Sequence, residues 1–287
     1  MKYIILAIKG FFMGIANIIP GVSGGTIALI LGIYEELVER VSNLFKNFID
    51  NMKFIIPIVI GILSSIVIMS GLIKSSYDNF PLPTMMFFVG LVLGGIPMLY
   101  GKVKGQKDSK KPVNFVIFLI TFSLVIFMSL SDLLLKTNTV VDFSNLSILG
   151  YVLVFIVGII AAGTMVIPGI SGSLVLMLLG YYYPIINSIH DLVKFKDIFS
   201  NIVVLGIFGV GVLIGIVVIS KILTVLFKNY SLKTYFGVLG FVCASVIAIP
   251  ISTILELGDI GYNIPLCVIS LITLMFGAII SYKLGDR

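Results

Sequence analysis

The chain has 287 residues, of which 59% are hydrophobic and only 11% charged, with a mean hydropathy of +1.20. That balance excludes a soluble globular domain and a disordered chain, and places the protein in a membrane. The net charge of +6 comes from lysines clustered between apolar stretches, which fits loops under anionic lipid and argues against nucleic-acid binding.

The first apolar region, about residues 3–34, contains "IIPGVSGGTIALILG" at residues 18–32. Pro20, Gly21, Gly24 and Gly25 are poor helix residues in the middle of a hydrophobic run. Lys2 ahead of that run gives it the look of a secretory signal, but Lys9 interrupts it and no small-x-small cleavage site follows, so the segment is expected to be retained. Lys9, alone among apolar residues, either meets an anion or snorkels to the surface. Glu35, Glu36, Glu39 and Arg40 follow; the Glu36 to Arg40 spacing suits a surface i, i+4 pair, and Glu35 is a candidate for proton coupling.

A crossing of hydrocarbon needs about 20 apolar residues, and residues 54–73, 84–101, 113–135, 198–220, 234–252 and 262–282 meet that length. Asp132, near the end of its span, reads as interfacial. A second long apolar region, about residues 147–182, carries "IPGISGSLVLMLLG" at residues 167–180. His190 is the single histidine and cannot build a metal cluster alone, while Cys243 and Cys267 lie in expected spans as small core residues. No metal or cofactor is expected.

A shift of 148 residues aligns Pro20 with Pro168, Gly21 with Gly169, Ser23 with Ser171, Gly24 with Gly172, Gly32 with Gly180 and Tyr34 with Tyr182. The stripes Leu37, Val38, Val41, Leu44, Phe45 and Ile185, Ile186, Ile189, Leu192, Val193 also coincide, so each motif leads into an amphipathic helix expected at an interface. "GLVLGG" at Gly90 echoes "GFVCAS" at Gly240. The sequence reads as a duplication, residues 1–146 and 147–287, within one membrane domain.

Basic residues decide how the motif regions sit. If all eight hydrophobic regions span, the loops divide the 19 basic residues 10 to 9. If the two motif regions are re-entrant hairpins, 15 fall inside and only Lys74, Lys136, Lys194 and Lys196 outside, which the positive-inside rule prefers. Each half is then a hairpin, an interfacial helix and three transmembrane helices. The odd number of spans inverts the second copy, and both termini are cytoplasmic. About 16 residues per hairpin leg gives roughly 24 Å, enough to bring each tip to the bilayer centre. The expected fold class is thus an all-α polytopic membrane protein built as an inverted repeat, the arrangement of many secondary transporters.

Non-helical backbone survives at membrane depth only where protein or a polar cavity covers it. In the first motif Gly21 permits the reversal. Ser23, Gly24, Gly25 and Thr26 then open a helix whose N–H groups and hydroxyls would cradle an anion. Gly169, Ser171, Gly172 and Ser173 would do the same from the second motif. A phosphate or carboxylate ligand follows, with Lys9 and Asn17 as further contacts.

"KGFFMGIANIIPGVSGGTIALILGIYE" followed by "IPGISGSLVLMLLG" resembles the bacterial polyprenyl-phosphate transporters, across nearly the whole chain. The resemblance implies a flippase that moves undecaprenyl phosphate between leaflets of the bacterial cytoplasmic membrane and recycles the carrier lipid for envelope synthesis. It maps the motif positions onto Ser23, Gly24, Gly25, Ser171, Gly172 and Ser173, and departs at Asn17, where many members carry Asp. The implied partners are the polyprenyl-phosphate lipid and membrane lipids; the sequence sets no oligomeric state. Two other classes fit parts of this pattern. An anion channel or small-anion transporter would also use helix-end sites. A polyprenyl-pyrophosphate phosphatase would use a Pro-Gly-x-Ser turn continued by Arg, but Gly24 and Gly172 stand there, leaving no charge clamp for the transferring phosphate.

Overall fold

The computed structural model describes residues 2–18, 22–135, 141–143, 146–257 and 264–285, and every regular element among them is an α-helix. In chain order these are α1 (Lys2–Ile18), α2 (Gly24–Ile30), α3 (Tyr34–Ser42), α4 (Phe48–Asn79), α5 (Pro81–Val103), α6 (Pro112–Leu135), α7 (Ile148–Val166), α8 (Gly172–Leu178), α9 (Tyr182–Val193), α10 (Ile198–Leu257) and α11 (Ile264–Gly285). Six of them, α4, α5, α6, α7, α10 and α11, are long and apolar enough to cross a membrane.

The 148-residue offset recurs in the element boundaries: α1 and α7 end at Ile18 and Val166, α2 and α8 start at Gly24 and Gly172, and α3 and α9 start at Tyr34 and Tyr182. Both short helices stop the same way. Gly32 and Gly180 take φ values of +68° and +78°, which glycine adopts without a Cβ penalty. Ile33 N–H then donates to Ala28 O and Tyr181 N–H to Leu176 O, at 3.0 and 2.9 Å. These bonds satisfy carbonyls that the helix ends would otherwise leave open.

Two of the expected spans run on as one element, and the expected hairpin geometry needs correcting. Residues 198–220 and 234–252, expected as two spans, lie on two helices that run on from one another as α10; an unbroken 60-residue helix would be about 90 Å long, three times the hydrocarbon thickness. Instead α10 is broken at Tyr230, whose φ of −135° and ψ of 38° are not helical, so its two arms contain the two expected spans. Phe80, between α4 and α5, has φ −137° and ψ 62° and sits 150 residues earlier, the offset that relates Gly90 to Gly240. The hairpin legs are also unequal rather than about 16 residues each. The first legs have 17 and 19 residues, and each second leg has 7, or about 10 Å of rise. After α8 the chain bends by 105° into α9.

Long helices pair through small residues, because in lipid close approach rather than hydrophobic burial drives association. Gly10 and Gly14 of α1 face Ile58, Ile62 and Ser65 of α4, and Gly61 of α4 faces Ala7 and Phe11. The residue order makes the two helices parallel. Gly158 of α7 lies on Phe208 and Gly211 of α10, and Gly215 on Ile159 and Ala162, again parallel. The remaining helices cross over between the two copies: α5 packs on α11 through Gly90, Gly94 and Gly277, and α6 packs on the second arm of α10 through Gly240. The main core gathers Ala16, Ile27, Ile30, Tyr34, Phe88, Val92 and Val242 around the first motif.

Candidate functional site

The first motif is positioned by α1 and α2, and the second by α7 and α8. Pro20 and Gly21 lie outside the described residues, as does the side chain of Asp132. The two motifs touch directly. Gly169 N–H donates to Thr26 Oγ1 at 2.9 Å in a fully buried bond, and Thr26 is 1% exposed. Gly169 has φ +84°, and a Cβ there would stand 2.6 Å from the Phe241 carbonyl carbon and 2.9 Å from Val242 N on α10. Only glycine satisfies both the backbone conformation and that approach.

The α2 N-terminus abuts the end of α7. A Cβ on Gly25 would lie 3.2 Å from Val166 O and 3.4 Å from Met165 O, so the positive end of one helix meets the negative end of the other. Tyr34 strengthens the same junction: its hydroxyl donates to Val166 O at 2.9 Å. Its ring stacks edge-on with Phe227 at 6.0 Å, and Phe227 with Tyr235 at 5.3 Å.

Ser23 is the N-cap of α2, in extended backbone with φ −101° and ψ 127°, yet its side chain makes no capping bond. It is 6% exposed, and its Oγ has no hydrogen-bond partner among the described residues. A buried hydroxyl without a partner costs about 1 to 3 kcal/mol and calls for an explanation. Gly24 N–H donates to Asn17 Oδ1 at 2.9 Å, and a Cβ on Gly24 would fall 2.5 Å from that oxygen. The second motif differs. Ser171 has nearly the same backbone, φ −96° and ψ 123°, but its Oγ is 2.8 Å from Ser173 Oγ. Gly172 faces the flexible Met165 side chain and Ala161 O.

Lys9 and Glu35 lie apart from these tips. Lys9 Nζ donates to Leu31 O at 2.7 Å and so caps the C-terminal end of α2, where cations are favoured. Glu35 accepts from the Tyr235 hydroxyl and lies 3.8 Å from Lys102 Nζ, joining α3, α10 and α5. Glu36 and Arg40 form the expected i, i+4 pair at 2.8 Å. Sequence reasoning missed Tyr34, Tyr235 and Lys102 as partners of the site. Tyr34 carried a signal, its alignment with Tyr182; Tyr235 and Lys102 carried none.

Beside the first motif, α1, α2, α4, α5 and α11 line a half-open cavity of about 650 Å³ walled almost wholly by apolar groups, among them Phe12, Ile27, Ile30, Phe87, Phe88 and Ile269. Ala16 and Ile27 also line it, one residue from Asn17 and from Thr26. A polar tip and a long apolar cavity on the same two helices form a site of amphiphilic character.

The chain is 33% identical over 288 residues to the polyprenyl-phosphate transporter of Staphylococcus aureus, covering 97% of this chain and 94% of that protein. It is 30% identical over 244 residues to the polyprenyl-phosphate transporter of Vibrio cholerae, covering 80% and 72%. No solved structure matches it significantly. The profile described as undecaprenyl phosphate translocase-like matches residues 13–258. A match of that extent, together with relatives similar over most of their length, makes this chain a member of the undecaprenyl phosphate translocase-like family.

Proposed function

We propose that the protein is a flippase for undecaprenyl phosphate, carrying the lipid between leaflets of the bacterial cytoplasmic membrane with its phosphate at the motif tips and its prenyl tail in the 650 Å³ cavity. The observation that carries this reading is the buried Ser23 hydroxyl at the start of α2, which has no hydrogen-bond partner among the described residues. A phosphate oxygen supplies the missing acceptor, and bonds to a charged group are the stronger kind. Asn17 Oδ1 now occupies the Gly24 N–H and stands in for a second phosphate oxygen. Asn17 is itself exposed, so it can swing away when the lipid arrives. Gly25, Thr26, Gly169, Ser171, Gly172 and Ser173 complete the cradle and join its two sides.

Residues 1–146 and 147–287 act in this scheme as two inverted copies of one membrane domain, each a re-entrant hairpin, an interfacial helix and three crossings. Support comes from the parallel packing of α1 on α4 and of α7 on α10. Each motif segment thereby returns the chain to the side it left, as a hairpin does. The 15 to 4 division of basic residues then puts both termini in the cytoplasm. Alternating access moves the copies about the tips, and the Thr26 to Gly169 bond and the Glu35, Tyr235 and Lys102 cluster are contacts that such a movement would remake. Glu35 remains the candidate for proton coupling.

The test is reconstitution in liposomes with a fluorescent polyprenyl phosphate, reading its loss from the outer leaflet to a membrane-impermeant quencher, beside a chloride-flux assay. Lipid-phosphate flipping without chloride flux is the expected result. Chloride flux without flipping would make the protein an anion transporter and overturn the reading.

A further inference from the structure

A second cavity, polar and about 360 Å³, opens where the starts of α1 and α4 meet α3; Lys2, Tyr3, Arg40, Asp50, Asn51 and Lys53 are among its walls. Arg40 is held in place. Its Nε and Nη2 donate to Glu36 Oε1 at 2.9 and 2.8 Å, and its guanidinium lies 4.8 Å over the Phe54 ring. Nη1 is left with long contacts to Asp50 O at 3.4 Å and Asn51 Oδ1 at 3.5 Å, beyond the usual hydrogen-bond range. Asn51, 5% exposed, is fixed by donating to Asn43 O at 2.8 Å. Among the described residues the Asp50 carboxylate pairs with Lys53 alone, at 3.5 Å; with Arg40 balanced by Glu36, that one carboxylate faces the two lysines Lys2 and Lys53. Lys2 makes no ion pair or hydrogen bond among the described residues.

The surroundings say what would fill it. The apolar run of α4 begins at Phe54, directly below the charged groups, which puts the cavity at headgroup level. Ile4, Ile5, Phe48 and Ile49 are 65%, 50%, 54% and 68% exposed on the neighbouring surface, a rim that a soluble anion would not need and acyl chains would cover. From this the geometry points to a binding site for the phosphodiester headgroup of an anionic phospholipid, with Arg40 Nη1, Lys2 and Lys53 as donors and the acyl chains along that apolar rim. Basic pockets between membrane helices bind such headgroups, and the volume suits a glycerol-phosphate group better than a bare phosphate. The site is separate from the motif tips, so its fate is independent of the transport reading.

The experiment titrates delipidated, detergent-purified protein with dioleoyl phosphatidylglycerol, dioleoyl phosphatidylcholine and farnesyl phosphate, counting bound lipids by native mass spectrometry. Wild type is compared with the double variant Lys2→Gln, Lys53→Gln, which leaves the Arg40 contacts intact, and with Arg40→Gln. Circular dichroism melting checks the fold of each. Phosphatidylglycerol should bind in preference to phosphatidylcholine. The double variant should lose about 25-fold of that affinity, roughly fivefold per lysine, with phosphatidylcholine unchanged. Equal binding of the two phospholipids by wild type, or wild-type phosphatidylglycerol affinity in the double variant, would overturn the assignment. So would a preference for farnesyl phosphate that the lysine changes abolish, since the pocket would then belong to the carrier lipid.

Discussion

Ser23→Ala separates a ligand group from a structural one, because the two roles move stability in opposite directions. The Ser23 hydroxyl is buried and has no hydrogen-bond partner among the described residues, so deleting it removes no bond among them. It relieves a desolvation cost of about 1 to 3 kcal/mol. The lipid-free variant should therefore melt at or above the wild-type temperature, by about 2 to 4 °C for each kcal/mol relieved. If the same hydroxyl donates to the lipid phosphate as proposed, a charge-assisted bond worth roughly 1.5 to 3 kcal/mol, affinity should fall by about 10- to 150-fold. Melting by intrinsic fluorescence with and without lipid phosphate, followed by flipping in liposomes across substrate concentrations, reads both quantities. A destabilised lipid-free variant that keeps wild-type affinity would refute the argument: Ser23 would then be an ordinary packing residue.

Thr26→Val keeps the shape but strips the acceptor from the buried Gly169 N–H. It should cost about 1 to 3 kcal/mol, seen as a lowered melting temperature that Thr26→Ser largely restores; no loss would mean that the bond does not join the motifs. Gly24→Leu should abolish flipping while the protein still inserts and accumulates, since the new side chain fills the space beside Gly24 N–H that Asn17 now occupies. Gly172→Leu should do the same at the second motif, and an active Gly172→Leu protein would confine the site to the first motif. For topology, single cysteines in a background lacking Cys243 and Cys267 should resist an impermeant thiol reagent in intact cells at Lys107, and react at Asp142 and Lys196. Reaction at Lys107 from outside would overturn the inverted-hairpin arrangement.

The amino-acid sequence by itself determined that this chain lives in a membrane as helices, because a mean hydropathy of +1.20 leaves backbone groups no water to bond with. It also determined where the helices break. Pro and Gly act locally, and their 148-residue spacing reappears in the ends of α1 and α7 and the starts of α2 and α8. Gly32 and Gly180 likewise end their helices for a reason internal to one turn. Partners across the fold were not legible, because a hydrogen bond between residues 143 apart, as in Thr26 to Gly169, leaves no pattern in either neighbourhood. The same holds for Lys9: its isolation in an apolar run was visible, but only the packed hairpin decided that its ammonium meets Leu31 O. Ser23 and Ser171 occupy equivalent positions in the repeat and have nearly equal backbones. Their neighbours differ at several positions, among them Gly25 against Ser173 and Thr26 against Leu174; Ser173 supplies the Ser171 hydroxyl with a local partner, and only the packed structure showed that the Ser23 hydroxyl is buried with no partner among the described residues.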